Sequence, residues 1–256
     1  MEIWQAIALC GVGVAAGWMN VMAAGGSMLT VPVMLLFGLD GPVANGTNRV
    51  AILAQNAVAV LAFRKRGYEQ PLLGLSLGLA TLPGALVGAF TGVQLRGERF
   101  ELVLAVVMLI SMAAMWSQGR EKQRPDAPPT ATPSQRPSRQ RLILGHLCMI
   151  GVGFWGGLIQ VGVGFVLMPV LHRVLGFDLV RVNQYKVLAV LTYTVPVLAV
   201  YAWQSGVLWL TGAALALGNA IGGWLGAHHT MTRGAGLVHL VFNLALIALV
   251  IRLVFF

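Results

Sequence analysis

The sequence predicts an all-α polytopic membrane protein made of two fused, inverted repeats. In each repeat a first helix broken by glycines is followed by a short helix. Three observations carry this. The chain is 57% hydrophobic and only 10% charged, with a mean hydropathy of +0.80. It holds many apolar stretches of the roughly 20 residues that a bilayer-spanning helix needs. And one order of residues occurs twice. Gly11-Val12-Gly13, Gly17, Asn20, Gly25-Gly26-Ser27, Pro32, Asp40, Asn45 and Gly67 come back as Gly151-Val152-Gly153, Gly157, Gln160, Gly162 with Gly164, Pro169, Asp178, Asn183 and Gly206. A duplication with glycine-interrupted apolar segments at matching places is a pattern of secondary transporters.

Taken in order, the first span is 3–23, preceded only by Glu2 and no basic region, which argues against a secretory signal. Gly25-Gly26-Ser27 breaks it, and a short apolar piece, 27–38, follows. Spans at 42–63, 71–95 and 99–118 complete repeat 1, residues 1–118. Residues 119–140 carry five prolines among Arg, Gln, Ser and Thr and read as a disordered linker. Repeat 2, residues 141–256, offers spans at 141–161, 179–203, 207–229 and 235–256, with the short piece 165–176 after its own glycine pair.

The net charge of +9 does not imply a nucleic-acid partner. Arg120, Lys122, Arg124, Arg136, Arg139 and Arg141 crowd the linker and Arg64-Lys65-Arg66 a second loop, as in cytoplasmic loops of bacterial inner-membrane proteins. Orientation follows by parity. If the short piece crosses, or folds back as a re-entrant hairpin, each repeat makes an odd number of crossings and the second must be inverted. If it stays on one surface the repeats are parallel. The loop Trp203-Gln204-Ser205-Gly206, repeat mate of Arg64-Lys65-Arg66, carries no charge, which favours inversion with the linker in the cytoplasm.

Polar groups gather at the breaks. A helix interrupted inside hydrocarbon must face protein or a watery cavity. The N-termini after Gly25-Gly26-Ser27 and after Gly162 and Gly164 offer free N–H groups to an anion, with Ser27 placed to cap the first. Asn20 and Gln160 precede the breaks at matching positions. A second cluster opens the following spans: Asn45, Thr47, Asn48 and Arg49 in repeat 1, Asn183, Gln184, Tyr185 and Lys186 in repeat 2. Lys186 in a membrane either meets an anionic ligand or snorkels to headgroups, and its spacing from Asp178 leaves both open. The remaining glycines read as close-packing positions.

All eight acidic residues lie at span ends or in loops, so no mid-span carboxylate serves a cation or a proton relay. No metal-ligand spacing, nucleophile motif or paired intramembrane carboxylates occur, so no catalytic residue, metal or cofactor is expected. Cys10 and Cys148 read as small buried hydrophobes.

The run into Val31-Pro32, the stretch Ala44-Asn45-Gly46-Thr47-Asn48, Leu82-Pro83-Gly84-Ala85 with Gly88, and Met168-Pro169 together resemble the sulfite exporter TauE/SafE family. The resemblance covers the chain outside the linker. It implies secondary transport of sulfite, an organosulfonate or a related sulfur anion, with or without a coupled proton or ion. The residues themselves leave two further readings: a passive anion channel of the same architecture, and a membrane-embedded enzyme, for which no motif speaks. The expected partners are the small anion and the lipid bilayer.

Overall fold

A computed structural model describes residues 3–22, 25–65, 71–120 and 137–230. The last expected span, 235–256, and most of the linker lie outside the described residues. Within them the chain forms nine α-helices and no strand. The first half, before the linker, supplies α1 (Ile3–Met22), α2 (Ser27–Leu36), α3 (Gly41–Lys65), α4 (Pro71–Gly92) and α5 (Glu98–Arg120). The second half, after it, supplies α6 (Arg139–Leu158), α7 (Val163–Pro169), α8 (Leu179–Gln204) and α9 (Trp209–Thr230). At Pro169, which brings no N–H, α7 widens into a π-turn over Val170–Val174.

Five of the described helices are long and apolar enough to cross a bilayer: α1, α4, α6, α8 and α9. Large apolar side chains such as Leu72, Leu210 and Trp209 stand on the outside, where lipid rather than water suits them. The chain is a multi-pass membrane protein. α3 is not among the five because Asn45, Thr47, Asn48, Arg49, Gln55 and Asn56 lower its hydropathy, yet all six are buried. The most polar long helix is thus an interior one. α2, with ten residues, is about 15 Å long and reaches only about half of a ~30 Å hydrocarbon core. Neither short piece, Ser27–Leu36 or Val163–Val174, is long enough to cross a bilayer by itself.

The two halves exchange partners. α1 packs along α9, and α6 along α4; α3 packs on α9, α8 on α4, and α3 meets α8 in the middle. The crossings use glycine. A side chain on Gly218, Gly222 or Gly226 of α9 would strike the backbone of α1 at Cys10, Val14 or Trp18, and one on Gly84, Gly88 or Gly92 of α4 that of α6 at Ile150, Phe154 or Leu158. Both pairs rise together in number, so both run parallel. α3 and α8 run antiparallel, since Gly46 faces Tyr201 while Phe63 shares a core cluster with Val187.

Candidate functional site

The end of α1 meets the middle of α3. Asn20 Nδ2 donates to Gln55 Oε1 at 3.1 Å, near the middle of α3. Asn20 Oδ1 accepts the Ser27 backbone N–H at 3.3 Å, so the start of α2 is capped by the amide before the break. Ser27 does not cap it: the N-cap position belongs to Gly26, which has no side chain to offer. Ser27 instead sits buried in the first helical turn, beneath the Met28 N–H to Gly25 carbonyl bond at 3.1 Å.

Lys186 reaches this break from α8 of the other half. Its Nζ donates to the Asn20 and Val21 carbonyls at 3.0 and 2.8 Å, among the carbonyls that a helix C-terminus leaves unpaired. The ammonium sits at the negative end of the α1 dipole, and Lys186 is only 3% exposed. It is inside the protein and does not snorkel to headgroups. Lys186→Met should therefore strand two carbonyls at about 1–3 kcal/mol each, lowering the thermal unfolding midpoint even in the absence of any anion.

Arg49 does the mirror task. From α3 it donates through Nη1 to the Gly156 carbonyl at 2.9 Å and to Gln160 Oε1 at 3.1 Å, and through Nη2 to the Gly157 carbonyl at 2.8 Å. Its guanidinium lies 4.6 Å from the Tyr201 ring centroid, within cation–π range. The last four carbonyls of α6 are all accounted for. Trp155 O takes the Ile159 N–H, Gly156 and Gly157 take Arg49, and Leu158 takes Asn45 Nδ2 at 3.0 Å and the Tyr201 hydroxyl at 2.8 Å. Asn45 also accepts the Gln160 N–H at 3.2 Å, standing in for the next turn of helix. Each half thus lends a cation from its third helix to the broken first helix of the other half.

The predicted residues gather in two clusters, one at each break. Asn20, Gly25, Gly26, Ser27 and Lys186 lie at the first. Asn45, Arg49, Gln160, Gly162 and Gly164 lie at the second, where Gly162 turns the chain with a φ of +72° that a side chain would strain. Asn48 faces α2, accepting the Thr30 hydroxyl at 2.7 Å. Thr47 turns away, its hydroxyl accepting the Leu208 N–H just before α9 at 3.1 Å. Tyr185 packs on Phe177 with ring centroids 4.7 Å apart, in an apolar core. Asn183 is buried with its Oδ1 unpartnered, and Gln184 is half-buried.

Sequence reasoning missed Thr30, Tyr193 and Tyr201. Tyr193 donates to Gln160 Oε1 at 3.2 Å. A tyrosine in mid-span was the available signal, because its hydroxyl needs a partner when buried. Gln55 also joins two helices, accepting from Asn20 at the break of α1.

The site is positive and lacks acid. Arg49 and Lys186 are buried, and among the described residues no buried Asp or Glu accompanies them. Nor do three or more His, Cys, Asp or Glu gather anywhere in the described part as metal ligands would.

The chain is similar to several proteins named as probable membrane transporters. The chain is 26% identical over 239 residues to "Probable membrane transporter protein ORF9" of a Sinorhizobium species, covering 93% of this chain and 88% of that one. It is 25% identical to a "Probable membrane transporter protein" of Haemophilus influenzae, over 91% of this chain and 88% of the relative. It is 21% identical to "Probable membrane transporter protein YfcA" of Escherichia coli K12, over 89% and 81%. No solved structure gives a significant match. The family profile described as "Sulfite exporter TauE/SafE" matches residues 9–253. With a match over nearly its whole length, this membrane transporter belongs to the sulfite exporter TauE/SafE family.

Proposed function

We propose that the chain is a secondary permease for a small anion of the sulfite, organosulfonate or related sulfur-anion class, working by alternating access between its two halves. The observation that carries this is the pair of buried cations, Arg49 and Lys186, with no buried carboxylate among the described residues. A cation substrate would meet repulsion there, while an anion offsets charge that the helix ends balance only in part. The two breaks fit the discontinuous helices on which secondary transporters build their sites.

Inversion of the repeats is supported by the direction of matching helices. α3 and α8 run antiparallel, and the parallel pairs α1–α9 and α4–α6 join non-equivalent helices. We place the basic linker in the cytoplasm of a bacterial inner membrane, on the charge bias of the loops. Because α5 runs to Arg120 and α6 begins at Arg139, it is shortened from 119–140 to 121–138, and the repeats extend to 1–120 and 139–256. Rocking of one half on the other then exposes the site to either side. A passive channel shares every one of these features and differs only in its flux.

Proteoliposomes decide between them. Labelled taurine or sulfite should enter with saturable kinetics, and an unlabelled anion loaded inside should accelerate its entry by exchange. Current that grows linearly with concentration and shows no exchange would favour the channel. Absence of flux for every sulfur anion would reject the substrate class.

A further inference from the structure

We infer that the groove between α4 and α6 holds one anionic phospholipid, with an acyl chain along the groove and the phosphate at Arg139. The site lies on the outside of the helix bundle and does not depend on what the protein transports.

The groove comes from a mismatch in side-chain length. On α6, Ile143, Leu147 and Ile150 stand exposed at the three- and four-residue spacing of one helix face. α4 meets them with Ala80 and Pro83, whose short side chains leave the space between the helices open. His146 also lines the groove, but both of its ring nitrogens are engaged. Nδ1 lies 2.8 Å from the Leu142 carbonyl and Nε2 2.8 Å from Ser76 Oγ. A carbonyl only accepts, so Nδ1 carries the proton and Nε2 accepts the Ser76 hydroxyl. The histidine therefore keeps no donor or acceptor for a polar ligand, and the groove is apolar along its length.

Charge appears only at one end. Arg139 is the one charged residue among the described lining, and no acidic side chain among the described residues forms an ion pair with it. It is the first residue of α6, so the positive end of the helix adds to its charge. From Arg139 to Ile150 the helix advances about 16 Å, and one leaflet of a ~30 Å hydrocarbon core is about 15 Å deep. An apolar trough one leaflet long with a cation at its mouth matches a phospholipid in length and in polarity.

The mouth opens on the basic side. α6 runs parallel to α4, which begins where α3 ends, and α8 is antiparallel to α3. Arg139 thus shares its side of the membrane with Arg64, Lys65 and Arg181. On the charge bias of the loops that side is cytoplasmic, and the cytoplasmic leaflet is the one that carries anionic lipid. A zwitterionic lipid brings the same phosphate, but also an ammonium that this basic rim repels. The inner end of the groove is the α4–α6 crossing, where Gly84 meets the Ile150 backbone. A lipid seated there touches both helices and adds to the contact that holds them.

The full chain, purified in detergent and stripped of lipid, is titrated with dioleoylphosphatidylglycerol or dioleoylphosphatidylcholine in mixed micelles. Native mass spectrometry counts the lipids retained, and the thermal unfolding midpoint reads their effect. One phosphatidylglycerol per chain should be retained and should raise the midpoint, with phosphatidylcholine weaker by about five-fold or more. Arg139→Gln should erase that preference. Arg99→Gln, at an exposed arginine just past the far end of α4, should keep it. Ala80→Phe, which fills the groove, should weaken both lipids by about ten-fold. Arg139 is exposed, so its variant tests the site even if Ala80→Phe does not fold. Glycerol phosphate, a headgroup without chains, should not displace the lipid. Equal retention of the two lipids, equal effects of Arg139→Gln and Arg99→Gln, or displacement by glycerol phosphate overturns the inference and leaves the permease standing.

Discussion

Gly84→Leu is expected to leave little folded protein in the membrane, although the residue touches no polar group of the site. A side chain there would fall on the Ile150 carbonyl, and the same crossing is closed from the other side by Gly153 against Thr81 and Gly157 against Ala85. Those obstacles are backbone, which cannot rotate aside as a flexible side chain can. Between helices in lipid the association comes from close packing rather than from hydrophobic burial, so separating α4 from α6 removes the attraction itself. The loss should exceed the ~1–3 kcal/mol typical of an overpacked core that can relax. Gly151→Leu is the control, since nothing lies within reach of a side chain at that position. Size-exclusion profiles and thermal midpoints of the two variants should differ sharply. Equal behaviour would mean that the α4–α6 contact does not hold the fold.

Arg49→Met is expected to destabilise the protein by roughly 2 kcal/mol and to abolish anion binding. Two effects oppose each other. Methionine removes a buried charge, whose desolvation costs several kcal/mol. It also removes three hydrogen bonds from a charged donor, worth about 1.5–3 kcal/mol each. Gly157 and Gln160 keep a partner in Tyr201 and Tyr193, but the Gly156 carbonyl keeps none. The bonds outweigh the desolvation by a modest margin. Arg49→Lys separates the roles. It retains the charge but not the planar fork, so stability should recover in part. Thermal unfolding and ligand-shift titrations on the three proteins check this. Arg49→Met with wild-type anion affinity would remove Arg49 from the site.

Sequence and structure divide along a physical line. The all-helical class, the five apolar spans of the described part, the two glycine breaks and the polar residues beside them were legible, because hydropathy and helix breakers are local properties. The same locality explains what was not. Ser27 has the chemistry of a helix cap, but the chain turns so that Asn20, seven residues earlier, reaches the first free N–H. Thr47 lies in the richest polar stretch, yet its hydroxyl serves the start of α9. Whether Lys186 met ligand, lipid or protein depended on depth and on what lay opposite. The answer, the end of α1, is 165 residues away for its Val21 contact. Arg49 and its Gly156 carbonyl are 107 residues apart. By itself the sequence determined that each half has a broken helix with unpaired polar groups in a membrane. Only the tertiary structure decided that the cation satisfying each break comes from the other half, because a carbonyl stranded in hydrocarbon takes whichever donor the packing of helices brings within about 3 Å.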